Sequence, residues 1–320
     1  MELLIMILVT GAAGFIGFHL CSSLLADGED VVGIDNLNPY YDPELKMGRI
    51  RLLSENNRFS FHQMDISDYD AVSSLFEKSA FSRVCHLAAQ AGVRYSLENP
   101  FAYQRANNEG FLNMLECARK FPVENFVFAS SSSVYGSNTK LPFAESDRTD
   151  NPISLYAATK KANEVTAHAY SHLFDIPCSG LRFFTVYGPW GRPDMALFIF
   201  TRAILANEPI DVYNHGKMRR NFTYIDDIVT GIRLVLNTPK KFEIYNIGNS
   251  RAEELMDFIR EIEKNTGKSA HLNFQPMQMG DVPATQADIS KLAALGYSPS
   301  TNIDKGIEQF VQWYRDYYHM

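Results

Sequence analysis

Cysteine is scarce in this chain, and the four that occur, Cys21, Cys85, Cys117 and Cys178, are scattered. No C-x-x-C pair brings two of them together, which predicts no metal site and a reducing, cytoplasmic location. Positive charge is also in short supply. Thirty Lys and Arg against 37 Asp and Glu leave a net charge of −7, which argues against nucleic acid as the main partner while leaving room for a locally basic site. A membrane-length apolar run is missing as well. The opening MELLIMILV (1–9) has no basic stretch before it, is too short to span a bilayer, and runs directly into a glycine loop. It reads as a strand rather than a signal peptide or a membrane anchor, and Met6 would serve as a start as well as Met1. Internal repeats and low-complexity linkers are absent too. What is present is 320 residues with 46% hydrophobic content, enough to bury a large core and to form two lobes.

Residues Thr10 to Gly17 read TGAAGFIG. Ile5, Ile7, Leu8 and Val9 come just before, as in a buried parallel strand, and Phe15 to Leu25 continues with helical periodicity. Gly11 allows the tight turn, Gly14 lets backbone approach a pyrophosphate, and Gly17 lets helix pack on strand. The helix N-terminus then offers unpaired N–H groups to the phosphates. A second strand, Val31 to Ile34, ends in Asp35, at the offset of a carboxylate that grips the adenosine ribose hydroxyls. An acid there predicts NAD, because it repels a 2′-phosphate. Glycine-rich turns are common, but here strand, glycines, helix, strand and acid fall in order.

Apolar strands alternate with helical stretches through about residue 180. Expected strands are Phe59 to Met64, Arg83 to Leu87, Asn125 to Ser130 and Cys178 to Phe183; expected helices are Asp70 to Ser79, Phe101 to Phe121 and Ser154 to Phe174. The alternation predicts an α/β fold with a doubly wound parallel sheet, a Rossmann domain over 1–180. After Phe184 the pattern loosens, so 181–320 is expected to form a smaller, interleaved substrate-binding lobe. A segment near 222–250 is expected to return to the first domain, with Phe222 to Ile232 as its leading piece.

Tyr156-Ala157-Ala158-Thr159-Lys160 supplies Y-x-x-x-K. A phenol with its ordinary pKa of about 10 is no base at neutral pH. Lys160, one helical turn on, brings an ammonium to the same helix face, and with the positive nicotinamide it favours the phenolate. The tract Ser130 to Ser133 directly follows the apolar strand Phe126-Val127-Phe128, at the carboxyl edge where α/β enzymes place ligands. It provides the hydroxyl donor opposite the base. Together the motifs predict a redox step at a carbon bearing a hydroxyl, with NAD beside a tyrosine base.

These motifs resemble those of the extended short-chain dehydrogenase/reductases, specifically the nucleotide-sugar epimerases. The likeness runs from about Met6 to the C-terminal helix and rests on TGAAGFIG, Asp35-Asn36-Leu37, Asp65-Ile66, His86-Leu87-Ala88-Ala89, Asn107, SSSSVYG, YAATK and RRNFTYIDD. Within the family, NPYYD (38–42), QAGVRYSLENP (90–100), VYGPWGRPDMALF (186–198), DVYNHGKMRRNFTYIDD (211–227) and GDVPATQADIS (280–290) are most similar to the UDP-glucuronate 4-epimerases. The resemblance implies a cofactor site of Gly11, Ala13, Gly14, Phe15, Ile16, Gly17, Asp35, Asn36, Asp65, Ile66, Leu87, Ala88, Ala89, Gln90 and Asn107, with Tyr156 and Lys160. It implies Tyr156 as base, Lys160 on the nicotinamide ribose, and Ser131 on the sugar O4, with Ser132 and Ser133 beside it. Arg192 and Arg220 would face the UDP phosphates, where forked guanidinium donors suit; Asp211, Tyr213 and Asp281 would surround uridine. Arg94 is assigned to the sugar carboxylate or a closing loop, and His86 to packing.

The implied reaction interconverts UDP-glucuronate and UDP-galacturonate through a 4-keto intermediate on retained NAD. That intermediate is a β-keto acid and can lose carbon dioxide. A related decarboxylase would carry glutamate before Val-Tyr-Gly, and a 4,6-dehydratase Asp-Glu; Ser132 and Ser133 stand there instead. With Thr185, they are expected to hold the carboxylate away from the geometry that expels it. Gln278 replaces an arginine common in galactose-type epimerases, which weighs against UDP-galactose. The alternatives are a 4-epimerase of a neutral UDP-hexose, a 4-keto reductase that releases its cofactor, and an NAD-binding regulator without turnover. A homodimer is implied through the helices 101–121 and 154–174, which carry apolar residues on more than one face.

Overall fold

Ile7, Leu8 and Val9 have no exposed surface, and they form the middle of the first strand, β1 (Met6–Thr10). A computed structural model describes residues 6–278 and 280–320; Ile5, where the strand was expected to begin, lies outside the described residues. The chain continues through α1 (Phe15–Ala26), β2 (Asp30–Asp35), α2 (Pro43–Leu53), β3 (Phe59–Gln63), α3 (Tyr69–Lys78) and β4 (Phe81–His86). Two short helices follow, α4 (Tyr95–Glu98) and α5 (Pro100–Tyr103), then a π-helical turn (Gln104–Glu109) and α6 (Gly110–Lys120). Next come β5 (Asn125–Ser131), a 3-10 turn (Ser132–Tyr135), α7 (Leu155–Phe174) and β6 (Cys178–Phe183).

Local chemistry sets these boundaries. Asp68 starts α3 by accepting from the Ala71 N–H, and Ser154 starts α7 by accepting from Ala157. Helix α2, which has no counterpart among the expected elements, has Asp42 as its cap and Pro43 at its first position. The expected helix over 101–121 is interrupted by the π turn. There Asn163 donates to the Asn107 carbonyl at 2.6 Å, and a side chain entering the ladder is a recognised cause of such a bulge.

Seven parallel strands form the sheet, in the order β11-β6-β5-β4-β1-β2-β3, where β11 is Phe242–Ile247. Successive residues of β1 point to opposite faces. Ile7 and Val9 join a core with α1 residues such as Phe18 and Leu24. Leu8 joins the other core, with Val72 and Phe76 of α3 and Met114 and Leu115 of α6. Both faces are therefore covered, and the sheet is doubly wound.

Between β6 and β11 run β7 (Thr185–Tyr187), α8 (Ala196–Ala206), β8 (Pro209–Val212), β9 (Arg219–Arg220), β10 (Phe222–Tyr224) and α9 (Ile225–Leu236). Strand β10 pairs with β7, while Asn125 of β5 donates to the Val235 and Leu236 carbonyls at the end of α9. Beyond β11 lie β12 (Glu253–Glu254), α10 (Leu255–Thr266), β13 (His271–Phe274), α11 (Ser290–Ala293) and α12 (Ile303–Tyr318). Strands β12 and β13 pair with β9 and β8. Among the described residues no helix is long and apolar enough to cross a membrane.

Candidate active site

The carboxyl ends of β1, β2, β4 and β5 open onto one cavity of about 990 Å³. At its β1 end Gly11 has φ +73°, and a Cβ there would stand 2.8 Å from the Ala88 nitrogen. Only glycine fits both demands. Gly14 precedes α1 without a side-chain cap, so the first-turn N–H groups of that helix are free for a ligand, and Phe15, Ile16 and Gly17 line the cavity beside them. Asp35 ends β2 and accepts from the Leu37 N–H at 2.8 Å. Burial pushes its pKa up, opposed by the Lys46 charge and by Arg49. Asn36 donates to Asp65 at 2.9 Å, and this bond, with two from Ser67, holds the Asp65 carboxyl below its usual range despite partial burial. Ile66, Leu87, Ala88, Ala89 and Gln90 complete this arm. An uncapped helix start, a cradle closed to any side chain and an acid at the end of β2 together fit a dinucleotide.

Two expected cofactor residues stand behind the wall rather than on it. The Ala13 carbonyl accepts from Arg49. Asn107 accepts from the Gln90 N–H at 2.8 Å and donates to the Gln90 carbonyl at 3.0 Å, so it holds the cavity segment by its backbone. His86 is buried and shares a 2.9 Å hydrogen bond with Thr10. Burial, helped by the Lys160 charge, lowers its pKa to about 3.

Ser131, Ser132 and Ser133 line the cavity where β5 turns into the 3-10 segment, and the Ser133 N–H donates to the Ser131 hydroxyl at 3.2 Å. Tyr156 and Lys160 reach the same space from α7. Burial raises the Tyr156 pKa, against a hydrogen bond with Ser131 and the charge of Arg192. Lys160 donates to the Ala129 carbonyl at 2.9 Å, and burial lowers its pKa to about 8. The cation acting on Tyr156 here is Arg192, and desolvation outweighs it. Tyr103 sets its ring edge-on to Tyr156 at 6.1 Å and donates to the Ala91 carbonyl.

At the far end the expected arginines are each paired with a carboxylate. Arg192 makes a forked contact with Asp194, which also accepts from the Tyr40 hydroxyl at 3.0 Å. Arg220 meets Asp281 at 2.7 Å. Arg94 sits 5.2 Å over the Tyr213 ring, and Asp211 accepts from Asn273 at 2.7 Å. Thr185, at the start of β7, also lines the cavity. Sequence reasoning passed over Tyr40, Lys46, Tyr103 and Asp194, which line or flank this space. The NPYYD segment was a usable signal for Tyr40; the pairing of Asp194 with Arg192 was visible only as two-residue spacing.

A parallel sheet wound in this order, with a serine tract, a tyrosine and a lysine converging at its carboxyl edge, is the arrangement of the short-chain dehydrogenases and reductases. The chain belongs to the NAD dependent epimerase/dehydratase family, whose model matches residues 7–248. It is 48% identical to Protein CapI of Staphylococcus aureus, over 98% of this chain and 99% of that one. It is 47% identical to UDP-glucuronate 4-epimerase 4 of Arabidopsis thaliana, over 98% of this chain and 76% of that one. The crystal structure of UDP-glucuronic acid 4-epimerase from Bacillus cereus, in complex with UDP-glucuronic acid and NAD, superposes with a TM-score of 0.92 at 38% identity, covering 98% of this chain and 100% of that one.

Proposed function

We propose that the chain is an NAD-dependent 4-epimerase that interconverts UDP-glucuronate and UDP-galacturonate. One observation carries the reading: a single cavity runs from the glycine loop, past Ser131, Tyr156 and Lys160, to Arg192, Arg220 and Asp281. The sugar follows the names of the similar proteins and the two serines at 132 and 133.

The residues divide along that cavity. Gly11 and the start of α1, Gly14 to Gly17, receive the cofactor diphosphate, Asp35 and Asn36 its adenosine ribose, and Asp65 and Ile66 its adenine, while Leu87 to Gln90 line the channel. Ala13 and Asn107 support this arm from behind. Arg192 and Arg220 take the UDP diphosphate, and Asp211, Tyr213 and Asp281 surround uridine. NAD held by these residues would supply the acceptor for the carbon-4 hydride and its return to the opposite face of the sugar. Tyr156 takes the O4 proton and later gives it back, with Ser131 fixing O4 by a hydrogen bond. Lys160, with a pKa of about 8, keeps its ammonium at neutral pH; it would hold the nicotinamide ribose, and its charge favours the phenolate. Ser132, Ser133 and Thr185 hold the sugar carboxylate, with Arg94 at the rim. UDP stays anchored while the sugar turns.

The chain is also read as a cofactor half, 1–180, and a nucleotide-sugar lobe, 181–320. Phe101, Leu112, Val165 and Leu173 remain exposed on α5 to α7, which supports a homodimer through those helices. Four free, buried cysteines suit a reducing cytoplasm.

Incubation of the purified protein with UDP-glucuronate, without added NAD, tests the reading. UDP-galacturonate forming at constant total sugar nucleotide is the expected result. UDP-xylose or its 4-keto precursor would overturn the role given to the serines. No conversion, with NAD added, would overturn the sugar and point to a neutral UDP-hexose.

A further inference from the structure

Arg49 of α2 is among the largest side chains in the protein with no exposed surface. A buried cation is costly unless its donors are matched. Its acceptors are carbonyls and a phenol rather than a carboxylate: one terminal nitrogen donates to the Ala13 carbonyl at 2.7 Å and to the Tyr41 hydroxyl at 2.8 Å. The other donates to the Trp190 carbonyl at 2.6 Å and reaches that of Gly191 at 3.4 Å. Nε has no partner among the described residues. Apart from Tyr41, just ahead of α2, these acceptors lie on two distant loops. Ala13 is inside the glycine loop that faces the cofactor, whereas Trp190 and Gly191 lead directly into Arg192 on the substrate side.

The second loop is held in a demanding shape. Trp190 has φ +59°, a region that bulky residues enter only when their surroundings enforce it. Helix α2 provides part of that enforcement twice over. Arg49 takes the carbonyls, and Gly48 leaves room for the indole: a Cβ at Gly48 would come within 3.2 Å of Trp190. Phe18 of α1 packs on the same indole, with ring centroids 5.5 Å apart.

We infer that Arg49 is a positioning residue that couples the dinucleotide loop to the arginine arm of the substrate site. One guanidinium fixes the Ala13 peptide against the start of α1 and also fixes the backbone from which Arg192 projects. The inference rests on the NAD and UDP-sugar reading above. Its consequence is that weakening one end weakens the other, because a shared support links the two affinities. Lysine cannot replace arginine here, since a single ammonium cannot span acceptors on both loops.

The test uses Arg49→Lys and, at the far end of the bridge, Trp190→Gly, which relaxes the left-handed residue and removes the indole from Phe18 while leaving residues 10–17 unchanged. NAD released on denaturation is counted per protomer, and UDP is titrated calorimetrically into NAD-loaded protein. Wild-type protein that binds neither would overturn the functional reading itself. With wild type binding both, Arg49→Lys is expected to retain several-fold less NAD and to bind UDP about tenfold more weakly, the factor set by one charge-assisted hydrogen bond. The KM for sugar nucleotide should rise by the same factor, with kcat per NAD-loaded site changed by less than about twofold. A role in folding alone would lower the folded fraction and leave the KM of the surviving molecules unaltered, and that result overturns the inference. If Arg49→Lys fails to fold, Trp190→Gly decides with Phe18→Ala as its control for the lost indole packing: loss of NAD retention in the first alone supports the coupling, and wild-type retention in the first or equal loss in both overturns it.

Discussion

Ser130 donates a 2.7 Å hydrogen bond to Glu164, so α7 grips the end of β5 one helical turn beyond the bond from Lys160 to Ala129. The same carboxylate receives Arg182 in a forked contact at 2.8 and 2.9 Å, and Arg182 also donates to the Tyr135 hydroxyl. All four side chains are buried. The segment carrying Ser131 to Ser133 is thus tied to the helix carrying Tyr156 by an internal ion pair. Removing one partner of such a pair leaves a bare charge inside the protein, whereas replacing both with apolar groups of similar volume is close to neutral. Glu164→Leu should therefore cost about 3 kcal/mol or more, and adding Arg182→Met should recover most of it. Urea unfolding of the two single variants and the double variant gives the answer; equal losses in all three would refute the pairing.

Tyr156→Phe removes only a hydroxyl. Turnover should drop by about a thousandfold, within the range of a lost acid–base group. Because the glycine loop is untouched, NAD content per protomer should stay at the wild-type level. Residual activity within about tenfold of wild type would mean that another group moves the O4 proton.

His86 makes the fold acid-sensitive. In the unfolded chain its imidazole titrates near 6.5, but in the folded chain not until about 3. Between those values the unfolded state binds more protons, so stability falls as the pH drops below 6.5, and the penalty stops growing only below about 3. Its contribution approaches about 1.4 kcal/mol per pH unit within that window. Urea midpoints from pH 7 to 5 should show a smaller slope for His86→Gln than for the wild type. Parallel slopes would exclude His86 as the titrating group.

Ser133→Ala and Thr185→Val each remove one hydroxyl from the cavity wall assigned to the sugar carboxylate. Each should raise the yield of UDP-pentose from UDP-glucuronate, measured by chromatography at equal conversion. Unchanged product purity in both variants would show that the carboxylate is restrained elsewhere.

The glycine loop, Asp35, the serine tract and the Y-x-x-x-K pair, which line one cavity, were legible because each motif is defined by near neighbours along the chain. Strand periodicity located β1 to β6 for the same reason. Arg49 was not legible: its acceptors Ala13 and Trp190 lie 36 and 141 positions away, and nothing near it on α2 distinguishes it from a surface arginine. The break in the helix after Tyr103 was hidden because it arises from Asn163, an amide on another helix. For Lys160, spacing showed only the shared helix face. Proximity to Tyr156 was visible, but the burial that lowers its pKa depends on how β5 packs against α7.

Strand β11 pairs along the whole of β6, from Cys178 opposite Phe242 to Phe183 opposite Ile247. Everything from 184 to 241 is therefore a parenthesis, opened after one strand of the sheet and closed by its neighbour. A fragment ending at β6 would expose a bare parallel edge six residues long, the kind of edge that recruits other chains. The cofactor half cannot be lifted out as a portable module. Nor is the interior of the parenthesis a free insert: α9 packs against α1 and receives Asn125 of β5, and the Trp190 carbonyl receives Arg49, so each half is finished by side chains of the other.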